Sequence, residues 1–161
     1  MLEMKKILFP CDLEESSSKI LPYVLSISEK YNCMIYLLHV VKDLPLWSVC
    51  YVPYPSSWDQ LLNKALEVSQ KALDIIREEK MQDHPNVIGK VVSGDPATEI
   101  LNTIEAEGIN LVIMGTHGRK GLDHAIFGSV AEKVVKKSPV PVLVINTFNH
   151  QYTDTTFCKG V

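Results

Sequence analysis

Apolar positions along the chain alternate between short continuous runs and longer stretches spaced at three and four residues. The first run, KKILFP, ends at Pro10. Ile20, Val24, Ile27 and Tyr31 then recur at i, i+4, i+7 and i+11, which predicts a helix, with Ser16, Ser17 and Ser18 as candidate caps. Pro22 is expected within the first turn of that helix, where its missing N–H costs nothing. The next run, Met34 to Val41, is too unbroken for a half-exposed strand and predicts one buried on both faces. A second helix is predicted from about Trp58 to Lys80, with Trp58, Leu61, Leu62, Ala65, Ala72, Leu73 and Ile76 on its inner side.

The pattern repeats through the second half. A strand is predicted from Val87 to Gly94, and Asp95-Pro96 then marks a helix start, with the aspartate as cap and the proline at the first helical position. Ala97, Ile100, Leu101 and Ile104 form its inner face, and Gly108 ends it. A strand from Ile109 to Gly115 follows. A last helix, from about Gly128 to Lys137, packs Val130, Ala131, Val134 and Val135, and a last strand runs from Val140 to Asn146. Five strands and four helices in strict alternation predict one α/β domain, a parallel sheet with right-handed crossovers and helices on both faces. Two segments stand outside the alternation. Residues 44–58 hold three prolines, both tryptophans and no charge, and predict an inserted loop. The loop could fold over a ligand, join a dimer contact, present an aromatic-rich surface to a partner, or pack on its own domain. Residues 147–161 lack periodicity and read as an extension beyond the last strand.

Composition narrows the function classes. With 16 Lys+Arg against 19 Asp+Glu, the net charge of −3 lacks the basic excess of a nucleic-acid coat. Apolar runs such as Leu111–Met114 and Val140–Ile145 fall far short of the roughly 20 residues a bilayer span needs, and MLEMKKILFPCD turns polar too early for a signal peptide. Cys11, Cys33, Cys50 and Cys158 form no CxxC pair and have no histidine at zinc-ligand spacing. They are expected to be reduced thiols in a cytoplasmic protein, and no metal site is expected.

Chemistry is expected where ligands bind in open parallel sheets, beyond the carboxyl ends of strands at the point where strand order reverses. Two strand ends carry special residues: Pro10-Cys11-Asp12, and Gly115-Thr116-His117-Gly118-Arg119-Lys120-Gly121 continuing to Phe127-Gly128-Ser129. Glycines let backbone N–H groups approach a ligand, and Gly128-Ser129 opens a helix whose free N–H groups and dipole favour phosphate. The Ser129 hydroxyl could add a hydrogen bond, and Arg119 or Lys120 could add charge. By composition alone, the same cluster is equally a mobile glycine loop with Gly128 needed for packing. Asp12 is an N-cap, a ligand group or both. His117 and His124 read as exposed, and His39 as a satisfied core histidine. No GxxxxGK[ST] is present, and no GxGxxG follows the first strand, so neither a P-loop nor a dinucleotide Rossmann domain is expected.

Gly115-x2-Gly118-x9-Gly128-Ser129 resembles the nucleotide signature of the universal stress protein family. The resemblance includes Ile7-Leu8-Phe9-Pro10-Cys11-Asp12, Gly94-Asp95-Pro96-Ala97 and Ser138-Pro139-Val140-Pro141-Val142-Leu143-Val144, in family order across residues 4–146. It implies a doubly wound, five-stranded sheet in the order 3-2-1-4-5 (the adenine nucleotide alpha-hydrolase-like fold) and a homodimer joined through the last strand. It also implies ATP, or AMP or ADP, between strands 1 and 4, with or without Mg²⁺. Carried over by motif, Asp12 contacts the ribose side with Pro10 and Cys11 beside it, and Val40 meets adenine through its backbone. Met114 and Gly115 line the nucleoside pocket, while Gly118, Gly128, Ser129 and Val130 hold the phosphates. The family's serine two residues after the aspartate is Glu14 here, followed by Glu15, and both are expected to face solvent. With no Walker-type aspartate and no evident base, hydrolysis is expected to be slow or absent, as suits a signalling module. The rival reading is a dimeric scaffold that works through protein contacts without nucleotide. An adenylyl transferase or hydrolase is disfavoured by the lack of an HxGH pair.

Overall fold

The computed structural model describes residues 3–42, 58–116 and 128–146, except for the side chain of Trp58. The insert (apart from the backbone of Trp58) and the C-terminal extension lie outside the described residues. The elements are β1 (Lys6–Pro10), α1 (Glu15–Tyr31), β2 (Met34–Lys42), α2 (Trp58–Lys80), β3 (Val87–Gly94), α3 (Pro96–Glu107), β4 (Leu111–Gly115), α4 (Ser129–Lys137) and β5 (Val142–Ile145). All four strand pairings are parallel, and the sheet order is β3-β2-β1-β4-β5, as the resemblance implies.

Side chains on a strand alternate between faces, so β1 feeds two cores. Ile7, Phe9 and Cys11 join Ile20 and Val24 of α1 and Leu73 of α2 on one face. Leu8 joins Val112 and Met114 of β4, with Ala97, Ile100 and Ile104 of α3 and Ala131 and Val134 of α4, on the other. Each large aliphatic side chain buried this way contributes about 1.5–3 kcal/mol. The continuous apolar run of β2 is explained by the same geometry, since Ile35 to Leu38 are covered from both sides.

Local signals fix both ends of α3. The Asp95 carboxylate accepts from the Thr98 N–H (3.1 Å) and hydroxyl (2.8 Å), and Pro96 follows it at the helix start. Gly108 closes α3 in the left-handed region, at φ 63°. Gly94 has φ 147°, and a β-carbon there would lie 3.0 Å from Cγ of Glu99.

Several expectations need correction. Because α1 begins at Glu15, Pro22 sits about two turns inside it and not in the first turn. Its ring faces solvent, where water can solvate the carbonyl that loses an intrahelical partner. The serines do not cap α1: its N-cap is Glu14, whose side chain makes no capping bond. Tyr31, Leu61 and Val135, expected on inner faces, are exposed.

Candidate functional site

The chain leaves β1 toward β2 and leaves β4 toward β5, so the direction of winding reverses between β1 and β4. These two strands are neighbours, with Ile7 opposite Leu111 and Leu8 opposite Val112. Asp12 therefore follows one strand end, and Gly115 closes the adjacent one. This is where the sheet leaves a crevice.

On the β1 side, the Asp12 carboxylate gathers the first turn of α1. One oxygen accepts from the Glu14 N–H (3.0 Å) and the Ser17 hydroxyl, and the other accepts from the Ser16 hydroxyl (2.7 Å). The Asp12 N–H donates in turn to Ser17 Oγ (3.1 Å). Leu13, between cap and helix, sits at φ 62°, an uncommon conformation for a side chain that also packs on the core. Glu14 and Glu15 face solvent, as expected.

Pro10 ends β1 half-buried, but Cys11 turns inward. Its thiol lies in the core, its N–H donates to the Leu38 carbonyl (2.8 Å), and its carbonyl lies 2.8 Å from Nδ1 of His39. A carbonyl can only accept, so Nδ1 carries the proton, and His39 is a satisfied core histidine. Burial pushes the Cys11 thiol above its ordinary range, against smaller opposing effects from Ser17, the Leu13 backbone and Lys80. Val40 packs half-buried against the α3–α4 core at the carboxyl end of β2.

On the β4 side, Met114 is buried in the same core and Gly115 is half-buried opposite Ile145. The buried Thr116 then ties two elements together. Its N–H donates to the Ile145 carbonyl (2.9 Å), and its carbonyl accepts from the Gly128 N–H (2.7 Å). Gly128 caps α4 in extended conformation and has no side chain to offer the first-turn N–H groups. Ser129 stands exposed at that helix start, and Val130 is half-buried. Gly118, Arg119, His117 and His124 lie outside the described residues.

Residues 3–146 match the universal stress protein family. The chain belongs to that family. Universal stress protein MJ0531 of Methanocaldococcus jannaschii is 30% identical over 141 residues, covering 88% of this chain and 81% of that one. Universal stress protein MJ0577 of the same organism is 31% identical over 156 residues, covering 90% and 96%. The solved structure of MJ0577 has a TM-score of 0.78 to this chain at 33% identity, covering 90% and 97%. A universal stress protein in complex with cAMP has a TM-score of 0.58 at 16% identity, covering 91% and 99%, and shares the fold.

Within this universal stress protein domain, two features escaped sequence reasoning. Ser16 and Ser17 hold Asp12 and do not cap the helix; the available signal was an aspartate followed by hydroxyls four and five residues later. Lys133 of α4 approaches the Asp95 carboxylate at 3.9 Å, a long-range pairing with no local signature. The Thr98 hydrogen bonds, aided by Lys133 and Lys42, hold the Asp95 carboxyl below its usual range. Among the described residues, no three His, Cys, Asp or Glu side chains come together as a metal site. No helix among them is long and apolar enough to cross a membrane.

Proposed function

We propose that this universal stress protein binds ATP (or AMP or ADP) in the crevice between β1 and β4. It then acts as a nucleotide-dependent signalling module in the stress response, with slow or no hydrolysis. The supporting observation is the bond from Gly128 to Thr116. It draws a helix start without a capping side chain to the end of β4, beside the strand that ends at Pro10 before Asp12. Free first-turn N–H groups and the positive end of the α4 dipole suit a phosphate there. Gly128, Ser129 and Val130 would hold it, joined by Gly118 and Arg119 of the intervening segment. Pro10, Asp12, Val40, Met114 and Gly115 would surround the nucleoside, with Cys11 shaping the floor from the core. The fold neighbour that holds cAMP is in keeping with an adenine ligand. Mg²⁺, if it accompanies the nucleotide, would rest mainly on the phosphates, because the described carboxylates do not cluster.

A homodimer through β5 fits the same reading. Among the described residues β5 pairs only with β4, and Leu143 on it is 39% exposed. The buried, free thiols of Cys11 and Cys33 suit a cytoplasmic, reducing setting. One observation favours the rival scaffold: Asp12 is already employed in holding α1. To separate the two, the purified protein is denatured and the released nucleotide is resolved by anion exchange. ATP is then titrated into wild type and a Gly118→Val/Gly128→Val variant. Retained nucleotide and a loss above tenfold support the site; affinities that agree within tenfold, or 1.4 kcal/mol, sink it. Turnover above roughly 1 s⁻¹ would overturn the non-enzymatic reading.

A further inference from the structure

Helix α1 is held at both ends. Asp12 gathers its first turn, and its last turn meets His84 in the link from α2 to β3. Backbone bonds fold that link tightly. The Met81 N–H donates to the Arg77 carbonyl (3.1 Å), and the His84 N–H donates to the Met81 carbonyl (2.9 Å). Met81 itself is buried in the core that α1 and α2 share. The His84 side chain is thereby set beside α1 and is 15% exposed, with Nε2 3.3 Å from Oε1 of Glu29, whose side chain is 70% exposed. At that distance Nε2 still makes no hydrogen bond, and it is closed off from solvent. Among the described residues it is the one buried side-chain nitrogen or oxygen left in this state.

A nitrogen so placed is costly on a neutral ring, because water is excluded and no protein group replaces it. A charged ring changes the balance, since attraction to a carboxylate at this distance needs no hydrogen-bond alignment. Histidine is the side chain whose charge ordinarily changes between pH 5 and 8. The other charges around the ring lean the same way. Glu78 of α2 lines the same hollow as His84, and Asp83 adjoins it in the link. Arg77 also lines the hollow but pairs with Asp74 at 3.5 Å, and Lys30, next to Glu29, holds its ammonium over the Tyr31 ring. Val87, where β3 begins, brings no charge. We propose that His84 and Glu29 form an acid-strengthened latch. It pins the last turn of α1 to the α2–β3 link while the imidazole is protonated, and it loosens as pH rises past neutrality. The latch stands at the far end of α1 from Asp12, so the proposal does not depend on the nucleotide site.

The test is amide hydrogen exchange followed by NMR at pH 5.5 and 7.5, with each rate corrected for intrinsic base catalysis. The amides to follow are those of Asn32 and His84, which donate to the Glu29 and Met81 carbonyls on the two sides of the latch. Protection at both is expected to be about threefold higher at pH 5.5 than at pH 7.5, within what an ion pair with one exposed partner supplies. Glu29→Gln changes an exposed side chain and leaves the core intact, so the fold persists while the rise should vanish. His84→Gln should remove the rise as well, and the double variant should lose no more than either single one. A rise that survives Glu29→Gln overturns the proposal. Equal protection at the two pH values in wild type overturns it too, as does protection that falls on acidification, which would mean that the buried ring rejects the proton.

Discussion

The Gly128 amide donates to the Thr116 carbonyl at 2.7 Å, so the chain leaves β4 and re-enters at α4 through one fixed point. The position of the α4 start is thus set by the sheet. At φ −71° and ψ 157°, Gly128 has a conformation open to any residue, so backbone freedom does not explain the glycine. An aspartate would cap α4 better, by a few tenths of a kcal/mol. Gly128→Asp is therefore expected to raise the urea midpoint slightly while lowering ATP affinity more than tenfold, because its carboxylate would sit where phosphate is proposed. Calorimetric titration beside urea unfolding checks both. Unchanged ATP affinity would remove the α4 start from the site.

Asp12 carries a structural load that can be measured without ligand. Asp12→Ala removes the acceptor for one N–H and two hydroxyls, and should lower unfolding free energy by about 1–2 kcal/mol. Asp12→Asn, which keeps one acceptor oxygen, should lose less. A cycle with Ser17→Ala should show coupling of at least 0.5 kcal/mol, as expected for groups in one network. Additive losses in urea unfolding would mean that the hydroxyls do not serve the carboxylate.

The architecture was legible because each buried strand and amphipathic helix announces itself in its own period. Leu37 and Ile113 lie in unbroken apolar runs, while Ile100 and Ile104 recur every four residues. The start of α1 is hard to read because Ser16 to Ser18 all have capping chemistry, yet the Ser16 and Ser17 hydroxyls turn back toward Asp12, which precedes the helix, and Ser18 Oγ accepts from Lys80. A helix start at those serines puts Pro22 in the first turn, whereas it lies about two turns inside α1. Leu61 reads as inner in the sequence because an apolar residue carries no sign of which element will cover it, and it is exposed. The site's strand ends were readable from Asp12 and Gly115, but the Thr116 strap was not, since a backbone-to-backbone bond leaves no mark on side-chain identity.

His39 offers a test of core polarity. Its ring donates to the buried Cys11 carbonyl and is 9% exposed. His39→Leu keeps apolar volume but leaves that carbonyl without its donor, and should cost about 1–3 kcal/mol. His39→Asn, which can present an N–H at similar reach, should recover part of it. Equal losses in the two variants would assign the effect to packing.

Asp95 gives a pH dependence with a definite sign. Its folded pKa is depressed, first by the Thr98 hydroxyl and N–H and then by Lys133 and Lys42. The unfolded chain therefore binds the proton at higher pH than the native one does. The carboxylate's contribution is complete above the ordinary value of about 3.9 and fades as pH falls through the lower folded value. Its side chain is 49% exposed, so solvent screening keeps the pH-linked part below about 1 kcal/mol. In urea unfolding from pH 7 to 3, wild type should exceed Asp95→Asn by a constant margin down to about pH 5 and converge on it below pH 4. Thr98→Val should shift that convergence to higher pH, and added salt should move it less, because hydrogen bonds outrank the lysines. An NMR titration of the Asp95 carboxyl carbon reads the group directly. A midpoint at or above the ordinary aspartate value would contradict the capping geometry at α3.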